Sequence, residues 1–221
     1  MTACCLSRVA LVKTALAASA VASIAALVGC SVSGTAVGES SPVVQSPTAT
    51  SAPIRQVDDL GRRLPFTTTF PNRWSRNNDG TSYEPCTAVT LGILQLHNLD
   101  PQSVKDSAIA DGQTVRGCNW RFRGEEFATL GQDVGNMNGG DTGISDYKLR
   151  YGDFTWFPDL SIGGRRVGVF SLGGDACDTI VESGTAFVFT NVALGRSDDD
   201  VTENCDRAIA FTRATIDLMP R

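Results

Sequence analysis

Leu27-Val28-Gly29-Cys30 places a thiol directly after a small residue at the end of an apolar run. This is the arrangement in which lipoprotein maturation joins a diacylglyceryl group to the cysteine sulfur through a thioether and cleaves the chain just before it. Ahead of it, Arg8 and Lys13 form a positive n-region, and residues 14–26 are an alanine-rich apolar stretch too short for a stable membrane-spanning helix. Residues 1–29 therefore read as a lipoprotein signal peptide, and Cys30 as the acylated first mature residue. An uncleaved anchor, or an ordinary signal peptide with an incidental cysteine, are the competing readings. At about 0.8 kcal/mol per buried methylene, the two acyl chains of the thioether-linked diacylglyceryl group plus an N-acyl chain such as palmitate give anchoring that does not reverse. The expected address is the extracytoplasmic face of the cell membrane.

The remaining thiols suggest oxidation. Cys4 and Cys5 leave with the signal peptide, which leaves Cys86, Cys118, Cys177 and Cys205 in an exported domain. A zinc site is the other use of four cysteines, but the chain has no Cys-x-x-Cys pair and only one histidine, His97. No metal and no cofactor are expected. Four cysteines allow three connectivities, and local periodicity favours Cys86 with Cys118 and Cys177 with Cys205. Each bridge closes a loop of about thirty residues, worth roughly 3 to 4 kcal/mol in the chain-entropy argument.

Signals of catalysis are sparse. A nucleophile–histidine arrangement would have to use His97, which lies near the end of an amphipathic helix and reads as a helix-end side chain. Phosphate-binding glycine loops and the Gly-x-Ser-x-Gly elbow are absent. Asp198-Asp199-Asp200 could attract calcium, but acidic residues before a helix N-terminus are favoured without metal. No pair of carboxylates stands out for glycoside hydrolysis, and no catalytic residue is assigned. The one stretch suggestive of binding is aromatic: Tyr147, Tyr151, Phe154, Trp156 and Phe157, interleaved with Gly152 and Pro158. Read as a loop beside a sheet, it offers Tyr151, Trp156 and Phe157 as a possible patch or groove for an apolar or sugar ligand, against the alternative of core aromatics that anchor a loop. Trp74 carries the same ambiguity.

The elements that must position these residues follow from periodicity. From Cys86 to His97 the apolar residues recur at helical spacing, with Glu84-Pro85 as a start. From Val115 to Arg123 they alternate, with Cys118, Trp120 and Phe122 on one side, so the first disulfide is expected to staple a helix onto a sheet. Further strands are expected at 127–134, 159–162, 167–171, 178–182 and 185–194, with hairpin signals at Gly163-Gly164 and Ser183-Gly184. The last strand is apolar on both faces, as suits a central strand. A terminal helix is expected over 203–218, capped by Thr202 and facing the sheet with Cys205, Ala208, Ile209, Thr212 and Ile216; the second bridge would tie it to the edge of the strand region. The fold class is α+β: one domain, an antiparallel sheet packed by an early and a C-terminal helix, with two disulfides.

Around that domain the chain divides simply. Residues 30–55 are rich in Ser, Thr, Val, Pro and Gly without period and read as a disordered tether, with Thr48 and Thr50 as candidates for O-linked sugar; 56–82 stay unassigned; 83–221 form the domain. The formal charge of −5 becomes −7 once Arg8 and Lys13 are removed. That balance argues against nucleic acid as a partner, because such binding needs Lys and Arg on phosphates.

Several short motifs occur in a telling order: Glu84-Pro85-Cys86 opening a helix, Gly117-Cys118-Asn119-Trp120, Ile162-Gly163-Gly164-Arg165 before an apolar strand, Cys177 ahead of a phenylalanine-rich strand, and Cys205-x-x-Ala208 in a last helix. Over residues 83–221 the chain resembles the small actinobacterial, mycobacterial-type lipoproteins of the LprB/LprC type, a domain-of-unknown-function family. The resemblance implies a cell-envelope lipoprotein and an antiparallel sheet packed by helices, and it brings no catalytic residues. The functional expectation is a non-catalytic binding or accessory module for an envelope protein or small ligand. An extracytoplasmic hydrolase acting on cell-wall glycans and a passive structural lipoprotein are the alternatives.

Overall fold

Seven antiparallel strands form one sheet in the order β1-β2-β3-β7-β6-β5-β4. They are β1 (Lys105–Asp106), β2 (Val115–Arg121), β3 (Thr129–Asn136), β4 (Thr155–Ile162), β5 (Arg165–Ser171), β6 (Ala176–Ser183) and β7 (Ala186–Ala193). In this computed structural model the described residues are 53–137, 140–174, 176–195 and 201–221. Cys30, its signal peptide, most of the tether and Asp198-Asp199-Asp200 lie outside them. Two meanders, β1-β2-β3 and β4-β5-β6-β7, meet where β7 pairs with β3, so β7 is central, as its two-sided apolar pattern requires. Gly163 and Gly164 make the β4–β5 turn with φ of 59° and 73°, the left-handed conformation that a two-residue hairpin demands at both positions.

The back of the sheet carries most of the core. Helix α4 (Thr202–Thr215) lies across β6 and β7, and the chain ends in a 3-10 turn, Ile216–Leu218. Its buried residues are Asn204, Cys205, Ala208, Phe211, Thr212 and Thr215, so Asn204, Phe211 and Thr215 join the expected stripe while Ile209 is half-buried. Thr202 is the first helical residue and Val201 occupies the N-cap position, in place of the expected threonine cap. Between helix and sheet runs a seam of polar groups that satisfy one another: Gln132 Nε2 donates to Thr190 Oγ1 at 3.0 Å and Thr215 Oγ1 at 3.1 Å, and the Tyr83 hydroxyl donates to Gln132 Oε1 at 2.6 Å. Threonines are tolerated in this core because every hydroxyl in the seam finds a partner.

The expected early helix is two. α1 (Pro85–Ala88) ends at Val89, which turns extended, and α2 (Leu91–Leu96) restarts with Thr90 accepting from Ile93 N. Glu84 caps α1 by accepting from Cys86 N at 3.3 Å. His97 is the C-cap residue of α2 and packs edge-on against Phe211 at 5.3 Å, with burial pushing its imidazole toward the neutral form.

Both disulfides form as the periodicity indicates, with sulfurs 2.05 Å apart for Cys86–Cys118 and 2.03 Å for Cys177–Cys205. The first fastens α1 to β2 and the second fastens α4 to β6. Cys177 is the second residue of β6, an interior strand flanked by β7 and β5, so the second staple holds α4 to the start of a strand inside the sheet.

Residues 56–82 are structured. An isolated bridge joins Val57 to Arg63, and the segment delivers Arg73 into the interior. Arg73 Nη1 lies 2.8 Å from Glu84 Oε2, its Nε lies 3.0 Å from Asp106 Oδ1, and Arg116 Nη1 reaches the same Glu84 oxygen at 2.9 Å. Arg73, Arg116 and Glu84 are each about 1% exposed and so desolvated, while Asp106 stands at the rim of the network. Two guanidinium groups against two carboxylates balance in charge, and Arg116 also donates to the carbonyls of Asn78, Thr81 and Tyr83.

Candidate functional site

The front of the sheet, opposite α4, is only partly covered. Strand periodicity and register place one cross-strand row there: Trp156 on β4 opposite Phe170 on β5, then Asp178 on β6, Asn191 on β7, Gly131 on β3 and Asn119 on β2. The adjacent row runs Gly117, Asp133, Phe189, Ile180. One end is roofed by α3 (Ile144–Arg150), which the sequence reading treats as loop. A cleft of about 510 Å³ is left between this roof and β2–β3.

One wall of the cleft is aromatic. Tyr147, on α3, packs edge-on against Phe187 at 5.3 Å and lies 5.6 Å from Phe189, while Tyr151 stacks on Phe154 at 5.0 Å and Phe154 on Phe170 at 5.5 Å. The expected patch is thus divided. Tyr151 and Trp156 face the front, but strand alternation sends the neighbouring Phe157 to the back, where it lines an apolar groove beside Cys205 and Ile209. Trp156 is half-buried, with its ring 4.7 Å from Phe170 and its Nε1 donating to the Tyr151 carbonyl at 2.9 Å. It positions the wall from behind. Trp156→Ala should therefore lower stability by about 2 kcal/mol, less than the roughly 3–5 of a fully buried aromatic, as read by chemical denaturation.

The other side is acidic. Asp178 is 6% exposed and accepts from Asn191 Nδ2 at 3.0 Å. Burial pushes its carboxyl up to about 7, the Asn191 hydrogen bond opposes that, and the charge of Asp133 adds to it. Asp133 is half-buried, and its Oδ1 has no hydrogen-bond partner. Burial pushes this carboxyl up to about 6; the nearby Ser107 hydroxyl pulls it down, Asp106 and Glu84 repel its charge, and Arg73 attracts it. Both acids hold their protons more tightly folded than unfolded, so each opposes folding increasingly as pH rises from about 4 through its folded value.

Space for these side chains comes from missing ones. A Cβ on Gly117 would lie 2.4 Å from Asp133 Oδ1, and one on Gly131 would lie 2.4 Å from Asn119 Oδ1. Neither acid was singled out from sequence, because β3 and β6 are brought together only by β7, and no local pattern announces that register. The cations nearby are engaged: Arg150 pairs with Asp141 at 2.7 Å, and Lys148 pairs with Asp159 over the Trp156 ring. A larger basin of about 940 Å³ around Arg121, Arg123 and Glu126 is shallower and lined mostly by loop side chains; within it Asp100 caps a 3-10 turn and Glu125 pairs with Arg207 at 2.8 Å.

Among the described residues no helix is long and apolar enough to cross a membrane, and no group of three or more His, Cys, Asp or Glu side chains is placed to hold a metal ion. A family model described as a protein of unknown function, DUF3558, matches residues 25–218. The chain belongs to the DUF3558 family. The family match begins ahead of Cys30 and includes residues 56–82, so the segment that carries Arg73 is part of the DUF3558 domain. No curated protein and no solved structure matches the chain.

Proposed function

We propose that this DUF3558 protein is a lipid-anchored envelope lipoprotein of the LprB/LprC type, held on the membrane through Cys30, and that its domain is a non-catalytic binding module whose front cleft takes a small ligand. The observation that carries this reading is the cleft itself, with an aromatic wall facing two acids on an otherwise finished fold. Cys30→Ala should abolish metabolic incorporation of an alkyne fatty acid and release the protein from the membrane fraction. Undiminished labelling would remove the anchor from the proposal. A photo-crosslinking residue at Tyr151, on the wall, should yield a ligand adduct in the native envelope, while one at the exposed Leu149 should not. Equal adducts, or none at Tyr151, would favour a passive structural lipoprotein.

The two raised carboxyls also favour a second reading, hydrolysis of cell-wall glycans. It is the weaker one on electrostatic grounds. Glycoside hydrolysis by a carboxyl pair needs one acid kept protonated and its partner kept ionised, whereas burial drives both acids here in the same direction. They also sit two strand spacings apart, roughly 10 Å measured laterally. The chain's single imidazole lies on the back of the sheet against α4, away from the cleft. Release of soluble fragments from purified peptidoglycan, abolished by Asp178→Asn, would reverse this ranking.

A further inference from the structure

We infer that the front cleft selects an organic cation bearing N–H donors, an alkylammonium or guanidinium group joined to an apolar or ring portion. The inference rests on the binding-module reading and adds the charge and shape of the ligand. Three features of the cleft point the same way.

The half-buried Asp133 carboxylate lines the cleft and its Oδ1 has no hydrogen-bond partner, so a ligand N–H can pair with this carboxylate without displacing a protein donor from that oxygen. Asp178 has one amide donor, from Asn191; an ionised carboxylate accepts more than one. The opposite wall presents the rings of Tyr147 and Tyr151, backed by Phe154 stacked on Tyr151 and Phe170; aromatic faces attract cations, and the wall's area buries a hydrocarbon chain or ring. The charged groups around the two acids cancel one another, with Arg116 completing the balance of the buried network, so the net negative charge of the cleft is that of Asp133 and Asp178 themselves. From the cleft lining come Asp141 and Arg150, already paired with each other, and from the β1 side come Asp106 and Glu84, both bound to Arg73. No cation is seated between Asp133 and Asp178 among the described residues. A neutral sugar would leave both acids uncompensated, and an anion would meet repulsion.

A cation bound there stabilises the ionised forms of Asp133 and Asp178, so binding releases protons and strengthens as pH rises through about 6 to 7. The amine could be free or borne on a lysine or arginine side chain of a peptide, and the probes separate these sources. Isothermal titration of the folded domain would compare phenethylammonium, 2-phenylethanol and 3-phenylpropionate, a series of nearly constant shape and changing charge, with acetyl-Phe-Lys-amide as the peptide arm. At about pH 7.5 the ammonium should bind at least roughly tenfold more tightly than the alcohol, with no detectable binding of the carboxylate. Repeating the titration in buffers of different ionisation enthalpy at about pH 6.5 should show release of about one proton per ligand. Asp178→Asn and Asp133→Asn keep the side-chain shape; each should shrink the ammonium preference and the proton release while leaving the alcohol unaffected. Tighter binding of the dipeptide than of phenethylammonium supports the inference with a peptide source, and the reverse supports it with a free amine. Equal binding of ammonium and alcohol, or binding of the carboxylate, overturns the cation inference while the cleft remains a binding site. Failure of every probe overturns it too, and the Tyr151 crosslink then decides the wider reading.

Discussion

Glu84→Ala should cost at least about 4 kcal/mol and leave much of the domain unfolded at 37 °C, because removing one partner of a desolvated ion network strands the charges that remain. Glu84 bridges Arg73 and Arg116, and all three side chains are almost completely buried. Without it Arg116 keeps only backbone carbonyls, and Arg73 keeps Asp106, Gly117 O and a contact to Cys86 Sγ. Neither guanidinium can discharge by losing its proton. The substitution also removes the cap of α1. Equilibrium denaturation would show a lower midpoint at an unchanged slope. Glu84→Gln, which keeps shape and one acceptor, should lose less. A loss under about 1 kcal/mol for Glu84→Ala would mean that water reaches the network, contrary to the burial described above.

The second large effect belongs to the disulfides. Replacing Cys86 and Cys118 together by alanine should cost about 3 to 5 kcal/mol, and replacing Cys177 and Cys205 about 2 to 4, within the usual range for secreted domains. The ranking follows from what else holds each helix. α1 has four residues and depends on its bridge and on the Glu84 cap, whereas α4 has fourteen and is held by Phe211 and the glutamine–threonine seam. Because Arg73 Nη2 lies 3.3 Å from Cys86 Sγ, loss of the first bridge and loss of Glu84 should be clearly non-additive in a double-mutant cycle. The reverse ranking, with the α4 bridge the more costly to lose, would show that α4 depends on its staple more than on its packing.

The features legible in the sequence were those carried by local period or by covalent arithmetic. Cys86 and Cys118 reveal their inward faces through the repeats around them, and Gly163-Gly164 announces a hairpin without knowledge of the rest of the chain. The break at Val89 and Thr90 was harder to see, since apolar residues on both sides of it keep helical spacing; Thr90, a good N-cap residue in mid-run, was the available sign. α3 was hidden because its tyrosines suggested a loop, although Asp146 near its start and Arg150 near its end suit a helix dipole. Arg73 lay in a stretch with no period at all. Its burial depends on Glu84 and Asp106, 11 and 33 residues away, and only tertiary structure brings the three together.

The glycines under the acids have a consequence for how ligand preference can change over time. At that end of the cleft the missing side chains of Gly117 and Gly131 leave room for Asp133 and Asn119, and Gly135 lines the cleft itself. At Gly135 a methyl group would meet Val115 Cγ1 at 3.1 Å, a side chain that can yield, with the Thr114 carbonyl at 3.4 Å and Phe189 at 3.9 Å in ordinary van der Waals contact, whereas at Gly117 it would strike the Gln132 carbonyl at 2.1 Å. Residue 135 is therefore a point at which selection can alter the shape of the accepted molecule by a few atoms without disturbing either carboxyl. Residue 117 permits no such drift. If the cleft binds as proposed, shape and charge recognition are separately heritable, and a lineage of DUF3558 proteins can diversify its ligands while keeping the electrostatics of the site unchanged.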